Sequence, residues 1–379
     1  MKTIPYGHQW IDRDDIRAVE VTLGSDWLTQ GPKVGEFEQA ICDYTGARYA
    51  VAVSSGTAAL HLACLAAGIK QGDEVITTPL TFLATANSIL YCGGKPVFAD
   101  IQKDTINISP EEIKKKLTRR TKGIIPVHFA GHPCDLEEIA DIARKHNLTV
   151  VEDAAHALGA EYKGIKIGSC KHSDMAVFSF HPIKTITTGE GGLITTNKKH
   201  LYTKLIALRT HGIYRDKGLV KKYGPWYYQM RDLGFNYRIT DIQCALGISQ
   251  LRKINKFIEA RRRIVDAYNR KLSPLKGIAL PIERRYVKSC WHIYYIRLND
   301  ATRRKSIFKE FLASGINCQV HYIPVYLHPY YRKIGYRRGI CKAAEDFYRR
   351  SITLPLYPTL RQVEINKIIR TVLAVFGHN

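Results

Sequence analysis

No two cysteines in this chain form a C-x-x-C pair. The nine are scattered singly at positions 42, 64, 92, 134, 170, 244, 290, 318 and 341. That odd, unpaired pattern argues against a disulfide framework and against a zinc knuckle, and reduced, mostly buried thiols are expected. Also missing is any run of about 18 uncharged apolar residues, so no membrane span is expected. The opening MKTIPYGHQWIDRDD has no apolar core of a secretion signal, which makes a cytoplasmic location the expectation. Internal repeats and low-complexity tracts are absent as well. Acidic residues are scarce in one place only: residues 251–379 hold 8 Asp and Glu against 27 Lys and Arg, whereas residues 1–250 hold 26 against 30. The formal net charge is +23. Such a field favours anionic partners without naming one. A phosphate-bearing substrate, a nucleic acid, an anionic membrane or a plain solvated face would each suit it.

What is present is ample core material, 45% hydrophobic residues in 379. It is enough for a large domain, set at 1–250, and a smaller one, set at 251–379. From residue 49 onward short apolar runs alternate with helical stretches. YAVAV (49–53) leads into TAALHLACLAA (57–67), and EVITT (74–78) into TFLATANSILYC (81–92) and KPVFAD (95–100). Ser109-Pro110-Glu111-Glu112 reads as an N-cap, a proline at the first helical position and a carboxylate at the third. GIIPVHF (123–129), DLEEIADIARKH (135–146) and LTVVED (148–153) follow. Strands separated by helices of this length predict βαβ units and a mainly parallel sheet. DMAVFSF (174–180), GLITT (192–196), a helix from about Lys198 and a helix near 240–258 complete the large domain. Helix-like and strand-like segments RRRIVDAYNRKL, WHIYYIRL and RKSIFKEFLASG predict a small α+β domain behind it. Residues 1–30 read as an N-terminal arm. Residues 213–236 show little periodicity and read as a long excursion of functional or interface character.

Open α/β sheets bind ligands beyond the carboxyl ends of their strands, and three such ends carry chemistry. Ser54-Ser55-Gly56-Thr57 runs straight into a helix N-terminus, a ready cradle for phosphate, although the same turn also serves as an ordinary helix cap. LTVVED ends in Glu152-Asp153 with His156 close behind. A carboxylate leaving an apolar strand calls for a cationic partner unless it is merely a loop acid, and His156 alone reads as packing. Lys184 follows DMAVFSF, inside SFHPIKTITTGEGG (179–192). A lysine at a sheet mouth, partly desolvated, can lose its proton and act as a nucleophile, while most lysines simply point to solvent. Together these are the three supports of pyridoxal 5′-phosphate: a phosphate cradle, an acid for the pyridine nitrogen and a lysine for the aldehyde carbon. Phe82, just past strand 74–78, could lie on the ring face.

The motifs S-S-G-T (54–57), T-F-x-A-T-A-N (81–87), E-D-A-A-H (152–156), S-F-H-x-x-K (179–184), G-E-G-G (189–192) and N-Y-R-x-T-D-I-Q (236–243) span nearly the whole chain. They resemble the DegT/DnrJ-type sugar nucleotide aminotransferases. WLTQGP (27–32), PWYYQM (225–230), LGFNYR (233–238) and QVHYIPVY (319–326) resemble more narrowly the branch of the pseudaminic acid pathway, which aminates C4 of a UDP-linked 4-keto-6-deoxy-N-acetylhexosamine with glutamate as donor. The resemblance implies the type I fold of pyridoxal-phosphate aminotransferases. It implies Lys184 as the Schiff-base and proton-shuttling residue, Asp153 at the pyridine nitrogen, and His156 at the ring 3′-oxygen. Phe82 would stack on the ring, and Gly56, Thr57 and Ser179 would hold the phosphate. Asn236 would reach the phosphate in the other subunit, which makes a homodimer with composite sites and turns 213–236 into a dimer and substrate loop. Relatives with histidine at the lysine position are dehydratases, a branch Lys184 excludes. Tyr6, Trp27, His181, Arg238, His321 and Tyr322 are the candidate substrate contacts, each equally readable as packing. Pyridoxamine 5′-phosphate is expected as the intermediate form of the cofactor. A related enzyme using a dTDP- or GDP-linked sugar, or C3, remains open. A basic regulator on DNA or membrane is disfavoured, because the first 50 residues are too short for an added DNA-binding domain.

Overall fold

The computed structural model describes residues 3–377. Its centre is a seven-stranded sheet made of β1 (Tyr49–Val53), β2 (Glu74–Thr77), β3 (Lys95–Phe98), β4 (Thr121–Ile125), β5 (Thr149–Asp153), β6 (Met175–Ser179) and β7 (Gly192–Thr196). The order across the sheet is β1-β7-β6-β5-β4-β2-β3. Five strands from β3 to β6 run parallel. Only β7 is reversed, against both β6 and β1. Both faces are covered, which is why the strands read as continuous apolar runs. Alternation within them assigns the faces: Ala50, Ala52, Ile76, Ile124, Val150, Phe178 and Leu193 join one core, and their neighbours Val51, Val53, Val75, Ile125, Val151, Val177 and Ile194 the other. Helix Gly56–Ala66 is buried almost all round within that second core, as its apolar composition on every face requires.

Several elements differ from the periodicity-based expectation. GIIPVHF ends as a strand at Ile125, because Pro126 has no N–H for the ladder. The helical stretch at 240–258 is two helices, Asp241–Leu251 and Ile254–Leu272. The aperiodic 213–236 excursion is ordered: Ile213–Tyr214 pairs antiparallel with Gln229–Met230, and helix Lys217–Tyr223 between them is capped by the Asp216 side chain, which accepts from the Leu219 amide at 3.0 Å. The Ser109 cap forms as the motif predicts, accepting from the Glu112 amide at 3.4 Å.

After residue 272 a three-stranded antiparallel sheet forms from β8 (Ile278–Ala279), β9 (Tyr294–Leu298) and β10 (Ser351–Leu354). Its core includes Ile296, Phe311, Ile352 and Ile368. The chain start is tied to this region, with Ile4 exchanging backbone hydrogen bonds with Gly315 and Asn317 at 2.9 Å each. All nine cysteines are free, eight of them buried. Among the described residues no helix is long and apolar enough to cross a membrane.

Candidate active site

A cavity of about 430 Å³ opens at the carboxyl ends of the parallel strands, where an open α/β sheet is expected to hold its ligand. After β1, Ser55 caps helix Gly56–Ala66 by accepting from the Ala58 amide at 3.1 Å. This leaves the amides of Gly56 and Thr57 at the helix start without a helical partner and pointing at the cavity end of the dipole. The approach is tight. A Cβ on Gly56 would lie 2.8 Å from the Ser179 Cβ, and one on Gly192 would lie 2.2 Å from the Ser55 carbonyl oxygen. The register explains this, since reversed β7 begins at Gly192 opposite both Val53 and Ser179. A backbone cradle closed on two sides by glycine suits a phosphate group.

The β5 end separates two carboxylates that the sequence placed side by side. Strand alternation sends Glu152 away from the cavity, to His128 Nε2 at 2.8 Å, and turns Asp153 into it. Asp153 is buried and accepts from Thr85 Oγ1 at 2.6 Å and from the Ala155 amide at 3.1 Å. Burial pushes its carboxyl up, and Thr85, the Ala155 amide and Lys184 pull the other way. Across the cavity, burial brings Lys184 down to about 8, a shift that the Asp153 charge opposes. Such an amine is partly neutral near physiological pH and can add to a carbonyl. A carboxylate aimed inward, an amine poised to deprotonate and a phosphate cradle form a donor set that fits pyridoxal phosphate.

Of the predicted residues, Gly56, Thr57, Phe82, Asp153, His156, Ser179 and Lys184 line the cavity, as do Tyr6, His181, His321 and Tyr322. Phe82 is 62% exposed at its rim. Tyr6 arrives from the chain start, held by its carbonyl to the Leu356 amide at 3.1 Å. His321 shares a hydrogen bond with Thr353 Oγ1 through Nδ1 at 2.9 Å, and burial followed by the nearby Lys184 lowers it to about 4. Trp27 and Arg238 do not line this cavity. Trp27 is 57% exposed, on the segment before helix Pro32–Thr45. Arg238 and Asn236 lie on the return from the 213–236 hairpin, where Asn236 bridges to Thr210. Sequence reasoning did not single out Thr85, Thr81 or Glu190 in the lining. Thr85 stands inside the quoted T-F-x-A-T-A-N motif, but only the folded chain reveals its bond to Asp153.

The DegT/DnrJ/EryC1/StrS aminotransferase family matches residues 9–373. The chain is 40% identical to the spore coat polysaccharide biosynthesis protein SpsC of Bacillus subtilis, over 97% of this chain and 96% of that one. It is 38% identical to a UDP-4-amino-4,6-dideoxy-N-acetyl-beta-L-altrosamine transaminase of Campylobacter jejuni, over 98% and 97%. The solved structure of Helicobacter pylori PseC, an aminotransferase involved in the biosynthesis of pseudoaminic acid, superposes with a TM-score of 0.92 at 34% identity over the whole of both chains. A sugar aminotransferase of Streptococcus pneumoniae, solved in its PLP-form and PMP-form, does so at 0.90 and 0.93 with 32% identity over 98% of each chain. Fold, cavity chemistry and kinship over the full length agree: the chain belongs to the DegT/DnrJ/EryC1/StrS family and is a pyridoxal-phosphate-dependent sugar aminotransferase.

Proposed function

We propose that this enzyme moves the amino group of L-glutamate to C4 of a UDP-linked 4-keto-6-deoxy-N-acetylhexosamine, acting as a homodimer with composite sites. The observation that carries the chemistry is Lys184, lowered to about 8 and lining the same cavity as Asp153 and the Gly56–Thr57 turn. The sugar rests on the Campylobacter transaminase and on the Helicobacter aminotransferase, whose names carry the altrosamine and pseudaminic acid chemistry. Pyridoxal phosphate, when bound, supplies the electron sink.

The chain's own residues do the rest. Lys184 Nζ would hold the aldehyde carbon and, as a partly neutral amine, would move a proton from the donor carbon and return it when the ketone is aminated. Asp153 would accept from the protonated pyridine nitrogen, and the Thr85 hydroxyl, by donating to it, favours its ionised form against burial. Gly56, Thr57 and Ser179 would hold the phosphate, His156 would take the 3′-oxygen side, and Phe82 would cover the ring. Asn236 of each chain serves the partner's cavity. Tyr6, His181, His321 and Tyr322 face the sugar from the mouth, and Trp27 and Arg238 reach the substrate only across the dimer.

A second reading is a dTDP- or GDP-linked sugar, or C3 in place of C4; the Bacillus relative, slightly more similar than the Campylobacter one, is named only for spore coat polysaccharide. Both readings meet one test, incubation with glutamate and a panel of UDP-, dTDP- and GDP-linked 3- and 4-keto sugars, with the product read by mass spectrometry and NMR. Amination of the UDP-4-keto sugar alone is expected. Reaction with only the other sugars replaces the proposed substrate.

A further inference from the structure

The imidazole of His156 is held at one atom only. Its Nε2 shares a hydrogen bond with the Tyr322 hydroxyl at 3.1 Å, while its buried Nδ1 has no partner. A ring anchored at a single atom can swivel about that contact unless something fixes its face. That face is covered by His292, whose ring centroid lies 4.3 Å away at a 40° tilt. His292 is itself buried and does not line the cavity.

The segment that delivers His292 also grips the main chain of His156. Cys290 Sγ donates to the His156 carbonyl oxygen at 2.9 Å. The Ser289 hydroxyl and the Cys290 amide both donate to the Gly131 carbonyl, and the His292 amide to the Ala130 carbonyl. Clearance there is small enough to demand glycine: a Cβ on Gly131 would lie 2.7 Å from Cys290 Sγ and 2.9 Å from the His156 carbonyl oxygen. Residues 289–293 therefore form a strut that leads directly into β9.

We propose that His292 is a positioning residue: its ring fixes the plane of the His156 imidazole in the cofactor cavity, from a strut that links β9 to the loop after β5. The role rests on this cavity being the cofactor site and not on which sugar is used. Lys184, His321, His128 and Tyr322 also face His156, and Lys184, Arg261 and His321 face His292. Any pH-dependent readout therefore belongs to the cluster and is interpreted only by comparison among variants.

The test is titration of the purified apoprotein with pyridoxal 5′-phosphate, followed by its absorbance as a function of pH, with no sugar present. His292→Ala is expected to raise the dissociation constant about tenfold, the upper range for an aromatic contact, and to move the spectral midpoint by about half a pH unit. His292→Phe, which keeps a flat face, should stay within about twofold of the parent, and His292→Leu should behave like the alanine variant. In a His156→Ala background the His292→Ala change should add less than about twofold, as expected for two residues acting as one unit. The proposal is overturned if His292→Leu matches His292→Phe, if the parent spectrum survives His292→Ala, or if the effect persists undiminished without His156. Should the alanine variant fail to fold, the Leu and Phe pair decides the question.

Discussion

The cofactor cavity and the 213–236 hairpin treat their surfaces in opposite ways. In the cavity, polar groups are buried and answered from within the chain: Asp153 by Thr85 and the Ala155 amide, His156 by Tyr322. On the hairpin and its return, large apolar groups are left open, with Trp226 74% and Leu233 78% exposed beside exposed Tyr228 and Met230. Scattered apolar residues on a surface are ordinary, but several within one short excursion mark a place for a partner. In the first region the Asp153 carboxylate and His156 Nε2 find their partners within this chain. The second presents an apolar face to a partner, in keeping with the proposed homodimer.

The sharpest break of that contrast is Lys184→Ala. Release of 2-oxoglutarate from glutamate should fall by about 10³-fold or more, and a parent-like rate would remove the cavity from the chemistry altogether. Next comes pH. Burial disfavours the charged amine, so the Lys184 proton leaves near pH 8 and not near the ordinary value of about 10.4. Addition of pyridoxal phosphate to the apoprotein should therefore rise with pH and level off above about 8. At that pH it should run on the order of a hundredfold faster than for a surface lysine. A rate still climbing at pH 10 would show an unperturbed amine.

On the hairpin side, Leu233→Asp should weaken self-association about thirtyfold, the loss of one strong interface anchor, as read by sedimentation equilibrium, with the far-UV spectrum unchanged. An unaltered association constant would leave the exposed face without its partner. The smallest effect belongs to Thr85→Val, which removes a hydrogen bond to a charged group. Pyridoxal phosphate affinity should drop about tenfold, and Thr85→Ser should restore it.

Much of the fold was legible because covered parallel strands and their helices write themselves as alternating apolar runs, and the ends of β1, β5 and β6 could be located from those runs. Which of Glu152 and Asp153 enters the cavity was not legible without the pleat of β5 in its sheet. The split at Arg252-Lys253 escaped because apolar residues continue across it, and the hairpin escaped because its order comes from one two-residue pairing and a cap. Tyr6 reaches the cavity region through its contact with Leu356, 350 residues further along the chain. His292 carries no local signal at all, since a histidine in WHIYYIRL looks like any strand residue. Such positions depend on loop closures that periodicity does not encode.

Helix Ile254–Leu272 has one further consequence. Its first turns place Ile254, Phe257 and Ile258 in the core of the large sheet, and its later turns place Ile264, Val265, Tyr268 and Leu272 in the core of the small one. Arg261, fully buried between them, donates to the carbonyls of His292 and Leu356. A chimaera that exchanged everything after residue 250 with a relative would therefore swap Ile254, Phe257 and Ile258 of the large core along with the small sheet. A crossover at 273–277, past the last shared turn, would leave Ile254, Phe257 and Ile258 native in the large core but would set the parent's Ile264, Val265, Tyr268 and Leu272 against a foreign small sheet.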